Sequence, residues 1–216
     1  YISNYVYNEN INLRPLPGST ITNTRVLDSD TNLNNGAFIA PMTLDSNLDI
    51  LYADYSNGAN YMVRRYSSIK SGTVVRTDLT NLLLTSSPTA FAVWPFTTAS
   101  TTLLVGSRLG KLLRVTNANL TTPTWADITG TSFVGSISDV EYGATENEIF
   151  VTMHNYNVVS IWYSSNGGTT WVSKEGNLPD LPVKCILRNP LNANEVIVGT
   201  ELGVWYTNNF NTTAPT

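Results

Sequence analysis

Two acidic residues stand two positions apart in the segment Ser138-Asp139-Val140-Glu141-Tyr142. If this segment is a β-strand, the side chains of Asp139 and Glu141 point to one face. Two carboxyl groups about 5 to 10 Å apart are the apparatus of glycoside hydrolysis. The pair is therefore the single candidate for catalysis. The alternative is that both acids are solvated groups beside a polar channel.

Other chemistry has little support in the residues present. His154 is the only histidine, so no site can hold several histidines as metal ligands. A Ser-His-Asp triad would have to use this one residue. The segment Asp28-Ser29-Asp30-Thr31-Asn32 has the alternating oxygens of a calcium loop, but it lacks the glycine at the sixth position and the closing glutamate. No glycine-rich phosphate loop follows a strand. The sequence predicts neither a metal nor a cofactor.

The composition indicates a folded chain with no affinity for nucleic acid. Hydrophobic residues make up 42% and charged residues 13%, and the formal net charge is −4 without any basic run. The longest apolar stretch is far short of the roughly 20 residues that a membrane helix needs, so no transmembrane segment is expected. The only cysteine, Cys185, has the apolar neighbours Val183, Ile186 and Leu187, which predict a buried thiol on a strand.

Internal repeats then indicate the architecture that would position these residues. Hairpin-like segments align if Tyr66, Val115, Tyr163 and Tyr206 are equivalent, with spacings of 49, 48 and 43 residues. This is the period of a propeller blade, about 40 to 50 residues. The sequence predicts an all-β chain, a single domain over 1–216, forming a β-propeller of four-stranded antiparallel blades. About four blades are expected, at 37–82, 88–131, 135–178 and 183–216, and residues 1–36 could belong to a preceding blade.

One hairpin turn carries a recognisable motif. The segment Ser164-Ser165-Asn166-Gly167-Gly168-Thr169-Thr170-Trp171 resembles the Asp-box (BNR) motif, Ser-x-Asp-x-Gly-x-Thr-Trp, with Asn166 in the place of the aspartate. The resemblance implies a structural role at the outer edge of the blade, away from the central channel. Asn166 would bond its own turn, Gly168 would take a positive φ, and Trp171 would pack between sheets. The motif's five defined positions are Ser164, Asn166, Gly168, Thr170 and Trp171.

Asp-box repeats occur in sialidases, in xyloglucanase-like glycoside hydrolases, in sortilin-type receptors and in large secreted bacterial proteins. The chain is similar to the surface propellers of Bacteroidota, which often precede a sorting domain for type IX secretion. The Arg-Ile-Pro signature of sialidases is missing, and Arg188-Asn189-Pro190 fits a plain turn. The resemblance therefore implies a secreted or cell-surface location without identifying a catalytic set.

Three functions remain open. The leading hypothesis is a non-catalytic binding or scaffolding domain whose partners are a polysaccharide or protein at the cell surface and flanking domains of a larger chain. The alternatives are a glycan-active hydrolase of the xyloglucanase-like type and a sortilin-type peptide or protein receptor, so whether the chain is an enzyme stays undecided. Exposed aromatic residues could stack on sugars. The candidates are Tyr1, Tyr5, Tyr7, Tyr55, Tyr61, Trp94 and Tyr156.

The ends of the sequence suggest a segment of a larger protein. The chain does not begin with methionine, and it ends at Thr216, one residue short of the tryptophan expected in an Asp-box. The propeller ring is therefore expected to be incomplete. Exposed sheet edges invite pairing with other chains, so residues 1–216 expressed alone are expected to associate or to be poorly soluble.

Overall fold

A computed structural model describes residues 2–4, 10–13, 25–29, 35–37, 39–58, 60–70, 72–96 and 98–216. Within these residues the chain forms 18 strands in five antiparallel sheets and no helix. The predicted all-β class and the four-stranded antiparallel sheets are confirmed. The predicted blade boundaries stay predictions.

The strands follow the chain in order, and each pairs with its neighbours in sequence. The first sheet consists of β1 (Ile2–Asn4), β2 (Asn10–Leu13) and β3 (Arg25–Ser29). The second consists of β4 (Met42–Asp45), β5 (Ile50–Asp54), β6 (Val63–Ser67) and β7 (Val75–Leu79). The third consists of β8 (Pro88–Val93), β9 (Leu103–Ser107), β10 (Leu112–Thr116) and β11 (Thr124–Asp127). The fourth consists of β12 (Ile137–Tyr142), β13 (Ile149–Met153), β14 (Ile161–Ser164) and β15 (Val172–Ser173). The fifth consists of β16 (Val183–Arg188), β17 (Val196–Thr200) and β18 (Gly203–Thr207).

The second strand of each four-stranded sheet forms the centre of its core. Every residue of β5, β9 and β13 is buried, because these strands have a paired strand on each side and a packed sheet against each face. Continuous apolar runs are typical of strands covered on both faces. The outermost strands, such as β11 and β15, are mostly exposed. Burial therefore decreases from the second strand of each sheet towards its outer edge.

Successive sheets pack face to face, and their first strands lie beside one another. Contacts join β4 to β8, β8 to β12 and β12 to β16. A hydrophobic core fills each gap: one unites Tyr52 with Leu103, another unites Leu104 with Ile149, and a third unites Phe150 with Val196. This is how propeller blades stack, with the first strand of each blade nearest the axis.

The pairing corrects the predicted alignment of the repeats by one residue. Tyr66 pairs with Leu51 and packs against Leu27 of the preceding sheet. Tyr163 pairs with Phe150 instead and packs towards the following sheet. Because side chains alternate between faces, a shift of one residue exchanges the two neighbours. The true equivalents of Tyr66 and Val115 are Ser164 and Thr207, which pair with the first residues of β13 and β17.

The predicted burial of Cys185 is wrong. Cys185 lies on strand β16, as expected, but it is free and exposed. A bulge between Val183 and Cys185 places Cys185 on the face opposite Val183 and Ile186, which pack on the fourth sheet. That opposite face carries exposed side chains in the described part of the chain. They are Leu187 at 62%, Ile197 at 44%, Val204 at 76% and Tyr206 at 57% exposure.

Asp28 joins the first sheet to the second through charge. Its carboxylate is 3.3 Å from Arg64 Nη1 and 3.4 Å from Arg76 Nε, and it accepts a hydrogen bond of 2.8 Å from the Tyr66 hydroxyl. The side chain is buried, so these partners replace its hydration. Asp28 thus has a structural role, and Asp30 of the calcium-like segment lies outside the described residues.

Replacing Asp28 with asparagine is expected to lower the free energy of unfolding by about 2 kcal/mol, because the charge-assisted hydrogen bond from Arg64 and the ion pair with Arg76 are lost in a buried place. Asp78→Asn is the matched control: Asp78 also pairs with Arg64, at 2.6 Å, but its side chain is 38% exposed. Urea unfolding should give a loss below about 1 kcal/mol for the control. Equal losses in both variants would contradict this role of Asp28.

Candidate functional site

The predicted acid pair lies on β12, at the interface with the fifth sheet. A bulge between Ile137 and Asp139 turns both acids to the face opposite Val140, which packs on the third sheet. The structure thus brings Asp139 and Glu141 together on one face, beside β16. The corresponding positions of the third sheet hold the buried alanines Ala90 and Ala92, so these are packing positions between sheets.

Both oxygens of the Asp139 carboxylate accept main-chain hydrogen bonds. One accepts from Val140 N at 2.9 Å, and the other accepts from Ile186 N on β16, also at 2.9 Å. The first strand of a blade has no hydrogen-bonded strand on its inner edge, so a main-chain N–H there needs another partner. Asp139 supplies it across the gap between two sheets.

Glu141 is half-buried and lies near Asp139. Burial, followed by the nearby charge of Asp139, raises the pKa of Glu141 to about 7. Burial also raises the pKa of Asp139 to about 6, against the lowering effect of its two main-chain hydrogen bonds. Carboxyl groups with raised pKa values are found at catalytic sites, and also at tightly packed interfaces.

These pKa values predict that Glu141→Gln stabilises the protein at neutral pH. The folded protein holds a proton on Glu141 that the unfolded chain releases between pH 4.5 and about 7, so stability is lost as the pH rises through this window. Glutamine avoids that loss. Because Glu141 is only half-buried, solvent screening limits the gain to about 1 kcal/mol, or roughly 2–4 °C in Tm at pH 8.

Asp139→Asn is the contrasting variant. Asparagine has one side-chain oxygen, so its NH2 group would face one of the two main-chain N–H donors, Val140 N or Ile186 N. The substitution should cost about 1–2 kcal/mol. Differential scanning calorimetry at pH 4.5 and pH 8 checks both variants, and the gain of Glu141→Gln should vanish at the lower pH. A gain that is equal at the two pH values would contradict the raised pKa of Glu141.

The Asp-box-like turn between β14 and β15 is closed by its own side chains. Asn166 Oδ1 accepts from Thr170 N at 2.9 Å, and Asn166 Nδ2 donates to Thr170 Oγ1 at 2.8 Å. Ser164 Oγ accepts from Gly168 N at 2.8 Å. Gly168 has a φ of 84°, and a Cβ there would lie 2.8 Å from Ile128 Cβ. The five motif residues therefore come together in one turn, and their assignment to the Asp-box family stays a prediction.

Trp171 packs this turn against the preceding sheet. Its Nε1 donates to Ile128 O at 3.0 Å, and its ring packs edge-on against Phe133 with centroids 4.9 Å apart. The fifth sheet repeats the polar part of the turn: Asn209 Oδ1 accepts from Thr216 N at 2.9 Å. Both turns lie at the outer strands, away from Asp139.

The turn geometry predicts opposite results for two substitutions of Asn166. Asn166→Asp keeps the acceptor for Thr170 N, so the free energy of unfolding should change by less than about 0.5 kcal/mol. Asn166→Ala removes that acceptor and should cost about 1–2 kcal/mol. Chemical denaturation of both variants provides the comparison. An alanine variant as stable as the aspartate variant would contradict the role of the side chain.

Few of the predicted aromatic candidates are available to a ligand. Tyr55 is 9% exposed, with the Arg64 guanidinium 3.1 Å above its ring, so its predicted place in a platform is wrong. Trp94 packs against Phe96 and Tyr142 at the end of β8, and Tyr61 packs against the core. Tyr156 is 51% exposed. Tyr1, Tyr5 and Tyr7 lie outside the described residues.

A polar cluster around Tyr156 contains residues that the sequence did not single out. Lys184 Nζ is 2.9 Å from Glu201 Oε1 and 2.9 Å from His154 Nδ1. The Tyr156 hydroxyl donates to Glu201 Oε2 at 2.8 Å. His154 and Tyr156 follow β13, whereas Lys184 and Glu201 come from the fifth sheet. Since no motif joins residues so far apart in the chain, only the folded structure shows the cluster.

A cavity of about 190 Å³ between the fourth and fifth sheets is a separate feature. It is open to solvent and mainly apolar, and neither Asp139 nor Glu141 lines it. Its walls include Ile161, Lys174, Leu178, Val198, Trp205 and Phe210. It is therefore a gap between two packed sheets at their outer strands.

The residues that the structure describes include neither a cluster of metal ligands nor a membrane-spanning helix. No three side chains of His, Cys, Asp or Glu come together there as possible metal ligands. None of those residues belongs to a helix with the length and apolar character needed to cross a membrane.

Comparison with solved structures identifies the fold class as a β-propeller. The chain is similar to the GH74 xyloglucanase from Xanthomonas campestris, with 19% identity and a TM-score of 0.53 over 81% of this chain and 27% of that one. It is also similar to the GH74 enzyme of Niastella koreensis, with 19% identity and a TM-score of 0.54 over 79% of this chain and 26% of that one. The chain thus spans about a quarter of these enzymes. No protein-family model matches it, and no curated protein sequence does either.

Proposed function

We propose that this propeller is a non-catalytic binding or scaffolding domain of a secreted or cell-surface protein, and that its ligand is a polysaccharide. The observation that carries the proposal is the engagement of Asp139, whose two oxygens accept hydrogen bonds from Val140 N and Ile186 N. A two-carboxylate mechanism needs both acids to reach the sugar. Asp139 is committed to the packing of β12 on β16, which leaves Glu141 alone.

The likeness to two glycan-active enzymes supports a polysaccharide as the ligand class, by analogy of fold. A rigid stack of sheets suits a binding role, because its residues are held in place before the ligand arrives. Flanking domains of a larger chain would supply any catalysis or attachment to the cell surface.

A second candidate is a glycoside hydrolase that uses Asp139 and Glu141. The pKa values of about 6 and about 7 favour it, since a general acid at neutral pH needs a raised pKa. Both candidates predict that the protein binds a polysaccharide. Only the second predicts that Asp139 and Glu141 release sugar from it.

Incubation with a panel of polysaccharides, xyloglucan among them, separates the two candidates. The proposal expects polysaccharide in a native gel to retard the protein, with no reducing sugar released, and Glu141→Gln to bind like the original. Hydrolysis that Glu141→Gln abolishes would contradict the proposal and establish the second candidate. Glu175→Gln is the matched control, because Glu175 is also a half-buried acid with a raised pKa but lies at the outer strands.

A further inference from the structure

Three residues occupy the same place in successive sheets, at the end opposite the Asn166 turn. Arg108, His154 and Glu201 each directly follow the second strand of their sheet. Arg108 N donates to Ser87 O at 3.0 Å, and His154 N donates to Ser136 O at 2.9 Å, which is the same main-chain contact in two sheets. Packed sheets are about 10 Å apart, so these side chains form a row along one rim of the stack.

Lys184 interrupts a second repeated feature at this rim. The bulged residues of the first strands β8, β12 and β16 are Thr89, Ser138 and Lys184. Thr89 donates its hydroxyl to Ile137 O at 2.6 Å, and Ser138 donates to Val183 O at 2.5 Å, so each ties its sheet to the next. Lysine has no such short hydroxyl, and its ammonium reaches the rim instead. No sheet follows the fifth in the described residues, so position 184 has no such carbonyl to bond there.

The exposed ring of Tyr156 is held in a fixed orientation. Its hydroxyl donates to Glu201 Oε2 at 2.8 Å, while 51% of the residue remains exposed. The loop itself is fastened on both sides: Asn155 Oδ1 accepts from Ser136 N at 2.7 Å, and Asn157 N donates to Asp180 Oδ1 at 2.7 Å. An ordered, exposed aromatic face beside hydrogen-bonding groups is suited to stacking on a sugar ring.

Arg108 is the group of this rim that favours an acidic ligand, because the charges of Lys184 and Glu201 offset each other and Asp180 adds a negative charge beside Tyr156. Lys184 is paired with Glu201, whereas Arg108 is exposed and forms no ion pair with the carboxylates of the described residues. A guanidinium group binds a carboxylate through two parallel hydrogen bonds. The chain as a whole has a net charge of −4, so general electrostatics would repel a polyanion and only a local site could hold one.

We infer that Arg108, His154, Tyr156, Lys184 and Glu201 form a binding site for a polysaccharide built of carboxylate-bearing sugars. Tyr156 stacks on a sugar ring, Arg108 binds a carboxylate, and Lys184, His154 and Glu201 bind hydroxyl groups between them. The inference rests on the proposed function and makes it specific, since it names both the ligand class and the rim that binds it.

Affinity electrophoresis of the whole chain in polygalacturonate and, separately, in xyloglucan tests the inference. Arg108→Gln and Tyr156→Ala should each weaken the association with polygalacturonate by about tenfold, equivalent to about 1.4 kcal/mol. Lys70→Gln is the matched control, because Lys70 is exposed and lies at the opposite end of the sheets beside Asp49. It should change the affinity by less than about twofold, and Tyr156→Phe should keep most of it. An unchanged Tm shows that each variant is folded.

The outcomes distinguish this inference from the function on which it rests. Binding to xyloglucan alone would overturn the acidic ligand and leave a polysaccharide-binding domain in place. Binding to neither polysaccharide would contradict both. An equal loss in Arg108→Gln and Lys70→Gln would show that net charge governs the association, and would overturn the rim as the site.

Discussion

Each inner sheet of the described stack must pack against two neighbours at once, and the rest of the structure depends on that constraint. Side chains alternate along a strand, so one set packs on the preceding sheet and the other set packs on the following sheet. On β13, for example, Ile149 belongs to the core with the third sheet, and Phe150 belongs to the core with the fifth. A one-residue shift would therefore disturb two interfaces.

The same constraint explains where the buried polar groups lie. The sheets are antiparallel and internally paired, so the groups that need partners are those at the gaps between sheets. Asp28 meets Arg64 and Arg76 across the first gap, and Asp139 meets Ile186 N across the last. Acids in these places fix how one sheet lies on the next. Packing between sheets raises the pKa of Asp139 and pairs Asp28 with two arginines. A pair of carboxyl groups is therefore insufficient by itself to identify an active site.

The repeat period and the turn chemistry were enough to predict the strand content, the four-stranded sheets and the polar residues that close the Asn166 turn. The alignment of the repeats is wrong by one residue in the fourth and fifth sheets. Tyr66 and Tyr163 look equivalent in sequence, but Tyr66 faces the preceding sheet and Tyr163 faces the following one. The predicted burial of Cys185 is wrong because a bulge, which leaves no mark in the local sequence, reverses the face on which the side chain lies. The rim cluster joins His154 to Lys184 and Glu201, and such contacts between sheets arise only when the sheets stack.

A crystal structure of the protein bound to an oligogalacturonide would test the central claim most directly, namely that the rim binds the polysaccharide and the acids of β12 serve packing. The account predicts a sugar ring stacked on Tyr156 with a carboxylate at Arg108, and Asp139 still bonded to Ile186 N. A sugar lying between Asp139 and Glu141, with that main-chain bond broken, would contradict it.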